Sequence, residues 1–275
     1  MTDTLAEWEL RQAFRHPGCP ICTVIQNNTE RFYRWFILET YGQLPMLETL
    51  SRGGFCPIHG WEVAVRAGQR ISFTYEFVVQ DRAARLRSAL TSARAYAWWP
   101  VSVLRAAALG RRLTGWMARR RRERLARAIR LSLAPSQPCP VCDQVKGDER
   151  YAYRVLARLL EHDEERAAYQ ASAGLCWHHL TGALPVATPT VATFLAEDGL
   201  RRLEALGQDF REYFRKLDYR FASEPRGAEQ RAWLQAARYL APMGHLPACL
   251  SEALDPNSPL GPLLRERTRD LAAST

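Results

Sequence analysis

The sequence predicts an all-α fold. Ala, Leu, Arg and Glu dominate its 275 residues, and all four favour helices. Few runs alternate apolar and polar residues with period two, as a half-buried strand requires. A third observation is a spacing that occurs twice, each time beside a Pro suited to a first helical turn. Cys19-Pro-Ile-Cys22 is followed after 33 residues by Cys56-Pro-Ile-His59, and Cys139-Pro-Val-Cys142 after 33 residues by Cys176-Trp-His-His179. Both fit one pattern at a constant offset of 120.

The elements follow in order. Residues 1–16 form a short helix with Leu5, Trp8 and Phe14 as packing residues, ended by His16-Pro-Gly. A helix from Pro20 to about Thr40 turns Ile25, Phe32, Tyr33, Trp35, Phe36 and Leu38 inward. A second runs from Pro45 to Arg52 and stops at Gly53-Gly54. A third runs from Cys56 to Ala67, and a fourth from Ile71 to Ala95 with Phe73, Phe77, Leu86 and Leu90 inward. Beyond Trp98-Trp99-Pro100 an Arg-rich helix carries a rough stripe of Leu104, Leu109, Leu113, Trp116, Met117, Leu125 and Ile129.

The second copy repeats the plan. Helices run from Pro140 to His162, from an Asp163 cap to Ala173, from Leu175 to Leu184 and from Pro189 to Phe221. Tyr33-Arg34 and Tyr153-Arg154 fall in register, as do Gly54 and Gly174. A last helix covers Ala228 to Leu240. The sequence thus divides into a first helical repeat over 1–96, a basic helical linker over 97–135, a second repeat over 136–245 and a tail over 246–275. The whole reads as two tandem metal-clasped repeats joined by the linker.

The clasps rest on ligand chemistry. Cys residues at i and i+3 of a helix start face one point, and a helix N-terminus favours the thiolate. A second helix start with Cys-x-x-His completes a tetrahedral Cys3His set. The candidate ligands are Cys19, Cys22, Cys56 and His59 in one copy and Cys139, Cys142, Cys176 and His179 in the other. The expectation is that each copy closes its own set, pinning its first and third helices together. Zinc, two per chain, suits a closed Cys3His shell. An iron–sulfur cluster is the main rival, although most clusters use four Cys. A thiol–disulfide pair leaves Cys56, Cys176 and both His without a role. His178 is an exposed or supporting neighbour, and Cys249 with His245 makes no site.

The Gly-Cys-Pro-Ile-Cys start at Gly18, the Gly-Phe-Cys-x-x-His return at Gly54 and the Asp218-Tyr-Arg-Phe, Glu224-Pro-x-Gly-x-Glu229 and Ala232-Trp233 stretch carry a resemblance. Over residues 18 to about 240 the chain resembles a family of uncharacterised bacterial proteins, a domain of unknown function. The resemblance implies a bacterial source and no particular activity. Trp177-His178 and the long Arg-rich connection depart from the family pattern.

The net charge of +9 is uneven. Residues 82–130 hold 14 Arg and one acid, Glu123, so that segment is +13 and the remainder −4. Arg111, Arg112, Arg119, Arg120, Arg121, Arg122, Arg124 and Arg127 are candidates for an anionic partner. Nucleic acid is the first choice, with Trp98, Trp99 and Trp116 available for stacking. An anionic membrane surface and a protein partner are the alternatives. A solvated basic face is the plain reading of the same residues. No phosphate-binding Gly loop, G-x-S-x-G or H-E-x-x-H occurs, so the expected role is binding rather than catalysis. The acidic N-terminus lacks an apolar signal core and no 18-residue apolar stretch occurs, so the expected location is cytoplasmic. The Glu224–Glu229 segment with Lys216 and Asp218 is either a pocket wall or a capped turn.

Overall fold

The computed structural model describes residues 4–97, 119–120, 122–124, 126–127, 129–131, 133–221 and 223–241. Among the described residues every regular element is helical. The helices are α1 (Thr4–Ala13), α2 (Pro20–Trp35), α3 (Leu44–Arg52), α4 (Pro57–Ala67) and α5 (Ser72–Ala97). They continue with α6 (Pro140–Leu159), α7 (Asp163–Ala171), α8 (Trp177–Ala183), α9 (Pro189–Arg215) and α10 (Ala232–Leu240). A π-helical turn, Phe36–Thr40, extends α2. None of the described helices is long and apolar enough to cross a membrane.

The chain forms two compact units. One comprises residues 1–32 and 144–275, the other residues 33–143. The boundaries fall inside α2 and inside α6 rather than in the connection between the two motif copies. The chain therefore enters the second unit along one helix and leaves it along another.

In the first unit Leu10, Phe14, Ile21, Ile25, Val155, Leu156, Leu160, Tyr169, Leu175 and Leu195 are buried. Phe14 and Phe194 pack on the Tyr169 ring at 5.9 and 5.8 Å. In the second unit Tyr33, Phe36, Leu50, Val63, Ile71 and Thr74 are buried, and Phe36 meets Phe55 edge-on at 5.4 Å.

Several inward assignments are corrected. Leu5, Trp8, Trp35, Leu38, Phe73, Leu86 and Leu90 are exposed. On α5 the burial falls on Thr74 and Ala89 instead, with Ile71 buried just before the helix. Small or β-branched Thr74 and Ala89 face the core there, Phe77 is half-buried, and Phe73, Leu86 and Leu90 face out. His162, not Asp163, occupies the cap of α7. Asp163, Glu164 and Glu165 fill its first turn, where the helix dipole favours negative charge. The helix expected to reach Phe221 ends at Arg215.

That early stop has a visible cause. The Arg215 guanidinium pairs with Glu212 and Glu224 and lies over the Phe221 ring at 4.5 Å. Lys216 Nζ donates to Pro225 O at 2.6 Å and to Glu229 Oε1 at 3.1 Å. Glu229, buried, also accepts from the Gly227 amide at 2.7 Å. The polar segment thus satisfies itself as a turn between α9 and α10, which is the capped-turn reading.

Candidate metal centres

Four helix starts carry the eight candidate ligand residues. Cys56 and Cys176 are the caps of α4 and α8, with nearly identical extended backbones (φ −68°, ψ 166° and φ −69°, ψ 165°). Each cap carbonyl accepts the first helical bond at 2.8 Å, from Gly60 and from Leu180. His59 and His179 then stand three residues into their helices. Cys19 and Cys139 immediately precede α2 and α6, so Cys22 and Cys142 hold the equivalent place. A cap and the third helical residue lie on the same side of a helix end, so each pair converges.

The chain reaches the second pair of each set through glycine. Gly54 and Gly174 sit at φ +76° and +71°, a left-handed conformation that other residues rarely adopt. An arginine secures each bend. Arg82 Nη2 donates to Gly53 O at 3.2 Å, and Arg202 donates to Ser172 O at 3.0 Å and Gln170 O at 3.2 Å. These two arginines stand at the offset of 120, a signal of the repeat outside the Cys and His motifs.

The eight residues form two groups, but not within each copy. One group is Cys19, Cys22, Cys176 and His179; the other is Cys56, His59, Cys139 and Cys142. Each takes its Cys-Pro-x-Cys from one copy and its Cys-x-x-His from the other. The expectation that each copy closes its own set is therefore corrected. The physical reason is the path of α2 and α6. Each helix leaves its own ligand pair in one unit and runs on into the other, so the returning pair of the same copy lies in the other unit.

In the first group His179 Nδ1 lies 3.3, 3.3 and 3.2 Å from the Sγ atoms of Cys19, Cys22 and Cys176. The Cys22 and Cys176 Sγ atoms are 3.9 Å apart. In the second, His59 Nδ1 lies 3.2, 3.5 and 3.3 Å from Cys56, Cys139 and Cys142, and Cys142 Sγ lies 3.7 Å from Cys56 Sγ. These sulfurs are free thiols, far beyond disulfide bonding distance. Each group has the donor set and the spacing to hold one metal ion.

The groups differ in their surroundings. All four residues of the first are buried; in the second only Cys139 is. A carboxylate stands behind the histidine of the first. Glu149 Oε1 lies 3.3 Å from His179 Nε2 and 3.1 Å from His178 Nε2. A carboxylate there accepts the Nε2 proton and leaves Nδ1 to face the sulfurs. At the same offset the first copy has Thr29 and Ile58, so the repeat gave no hint of Glu149. His178 stands beside the Cys3His group, and with Glu149 and His179 it forms a third cluster close enough to hold an ion.

Charge within the buried group is unevenly shared. Hydrogen bonds from Cys19 and Cys22 drive the Cys176 thiol far below its usual range. Burial, then the bonds to Cys176 and Cys22, hold Cys19 protonated well above it. Burial opposes a charged His179, but bonds to Cys176, Cys22 and Glu149 prevail and raise it to about 11. In the other group burial, then Cys139, pushes Cys142 up to about 12. A cation bound there would supply the positive charge that converging thiolates need.

Of the arginines expected to meet an anion, Arg119, Arg120, Arg122, Arg124 and Arg127 are exposed on helical backbone. Arg119 Nε donates to Glu123 at 3.1 Å. Arg111, Arg112 and Arg121 lie outside the described residues, as do Trp98, Trp99, Trp116, His245 and Cys249. The unit of residues 33–143 holds 18 Arg against 7 acids, a net +11, and the rest of the chain is −2.

Fold and site together define an all-α protein with two Cys3His groups built from helix starts. The chain belongs to a family of unknown function, DUF6062, whose model matches residues 1–243. No curated protein and no solved structure matches it.

Proposed function

We propose that this is a zinc-stabilised helical binding protein that contacts nucleic acid through its Arg-rich segment. The observation that carries the zinc reading is the edge length of each group. Zinc bonds of about 2.3 Å to sulfur and about 2.0 Å to nitrogen make a tetrahedron with edges of about 3.8 Å between sulfurs and about 3.5 Å from sulfur to nitrogen. The observed 3.7 and 3.9 Å, and 3.2 to 3.5 Å, fit a single ion. An iron–sulfur cluster spreads its ligands over several irons and needs wider separations. Four protein ligands complete the shell, so each zinc acts as a clasp and supplies no open position for substrate. Thiolate ligands suit a reducing compartment, and the bacterial cytoplasm is the location this reading favours.

The nucleic-acid reading is supported by concentrated charge. A unit at +11 with exposed Arg119, Arg120, Arg122, Arg124 and Arg127 attracts phosphates. Affinity for duplex and single-stranded DNA and RNA, measured across a salt series, tests it. Binding should weaken steeply with salt, and replacing these five Arg by Gln should flatten the slope. Unchanged binding in that variant, or none at low salt, overturns the reading. Elemental analysis should return two zinc per chain; iron with acid-labile sulfide overturns the clasp.

One observation favours an anionic membrane surface as the second reading. Ile58, Trp61 and Val65 are 50%, 75% and 80% exposed on a single face of α4, in the basic unit. Trp and aliphatic residues beside positive charge suit a lipid interface. Liposome flotation in the absence of nucleic acid separates the two.

A further inference from the structure

The two clasps are chemically alike but differently guarded. We propose that the Cys56–His59–Cys139–Cys142 group is a thiol-modification and metal-exchange site, open to soft electrophiles and chelators, while the Cys19–Cys22–Cys176–His179 group holds its ion permanently. The inference rests on the zinc reading above.

Two observations carry it. The first is access. Cys19, Cys22, Cys176 and His179 are 9%, 4%, 2% and 0% exposed, whereas Cys56, Cys142 and His59 are each partly open to solvent. The second is the return to the helix start. Tyr169 Oη accepts the Leu175 amide at 3.1 Å, and Ser172 Oγ accepts that of Gly174, also at 3.1 Å, so the backbone entering Cys176 is tied to buried side chains. Thr49 and Arg52 stand at the corresponding offsets before Cys56.

A cleft of about 380 Å³ beside the buried group is lined in part by Cys19, Cys176, Arg202 and Tyr239. A small reagent could approach the buried group through it. The test therefore compares both groups in one molecule.

The electrophile's chemistry is simple addition. A thiolate sulfur adds to the carbon–carbon double bond of N-ethylmaleimide, the C–S bond replaces the π bond, and the enolate takes a proton from water. An alkylated sulfur no longer donates as a thiolate, so the ion leaves.

The experiment uses the full chain carrying its native metal. Metal content is measured first. N-ethylmaleimide is then added in limiting amounts, adducts are mapped by mass spectrometry, and released ion is followed with a chromogenic chelator. Adducts should appear first on Cys56 and Cys142, with loss of one ion of the two, before any on Cys19, Cys22 or Cys176. A chain that holds two ions and loses both together, or is alkylated first at Cys22 or Cys176, overturns this inference and leaves the zinc reading standing. A chain that holds no metal overturns both.

Discussion

Cys22 and His179 are 157 residues apart in sequence, and their Sγ and Nδ1 atoms are 3.3 Å apart. Cys22 has no such partner in its own motif copy, because His59 is grouped with Cys139 and Cys142. This exchange predicts which ligand substitutions act together. Cys22→Ala and Cys176→Ala should each lose one ion by native mass spectrometry, and the double variant should lose the same single ion. Cys22→Ala combined with Cys56→Ala should lose both. In-copy pairing gives the reverse result for the two double variants.

Glu149 Oε1 lies 3.3 Å from His179 Nε2, on the side of the ring away from Nδ1. Glu149→Gln should weaken the ion at that group by about 10- to 100-fold while the other keeps its affinity. Chelator competition resolving the two ions measures it. Equal weakening of both, or none, removes Glu149 as a positioning residue.

Glycine makes a paired stability test. Gly174 holds φ +71°, and a Cβ there would meet the Arg202 guanidinium. Gly174→Ala should cost about 1–2 kcal/mol from the left-handed backbone, with the Arg202 displacement added. Gly147 lies within α6 with nothing near its missing Cβ. Gly147→Ala should gain about 0.5–1 kcal/mol. Denaturant midpoints at constant slope measure both.

The fold class and the residues that make up the two Cys/His groups were legible in the sequence, because helix-start chemistry is local. Pro20, Pro57 and Pro140 mark first turns, and Gly54 and Gly174 mark left-handed bends. The grouping was not legible. An offset of 120 is the same whether a copy closes on itself or exchanges with the other, so spacing cannot distinguish the two. Only the direction of α2 and α6 decides it. Side-chain contacts also diverge between copies. Tyr33 Oη donates to Glu62 at 2.6 Å, whereas Tyr153 packs its hydroxyl against Gly182 at the same offset.

The turn after α9 predicts a pH response. The Gly227 amide, and then the Lys216 ammonium, hold Glu229 down at about 2. An unfolded Glu titrates near 4.3. A depressed folded value means the stabilisation is present above the unfolded value and is lost as pH falls from there towards 2. Protection factors of the amides in residues 223–232, taken relative to intrinsic exchange at each pH, should therefore fall over that window, and in Glu229→Gln they should be low throughout and show no such fall.

The Cys56–Cys142 clasp has a topological consequence for the basic segment. Its four ligands join the ends of residues 60–138, which include Arg119, Arg120, Arg122, Arg124 and Arg127. Untying a long loop restores chain entropy and disperses charges that the closed loop concentrates. Cys142→Ser should therefore lower nucleic-acid affinity severalfold at low salt, and Cys22→Ser, which unties the other clasp, should leave it nearly unchanged. Fluorescence anisotropy with one labelled duplex compares them directly. Equal losses would mean the Arg-rich segment depends on overall folding rather than on its own clasp.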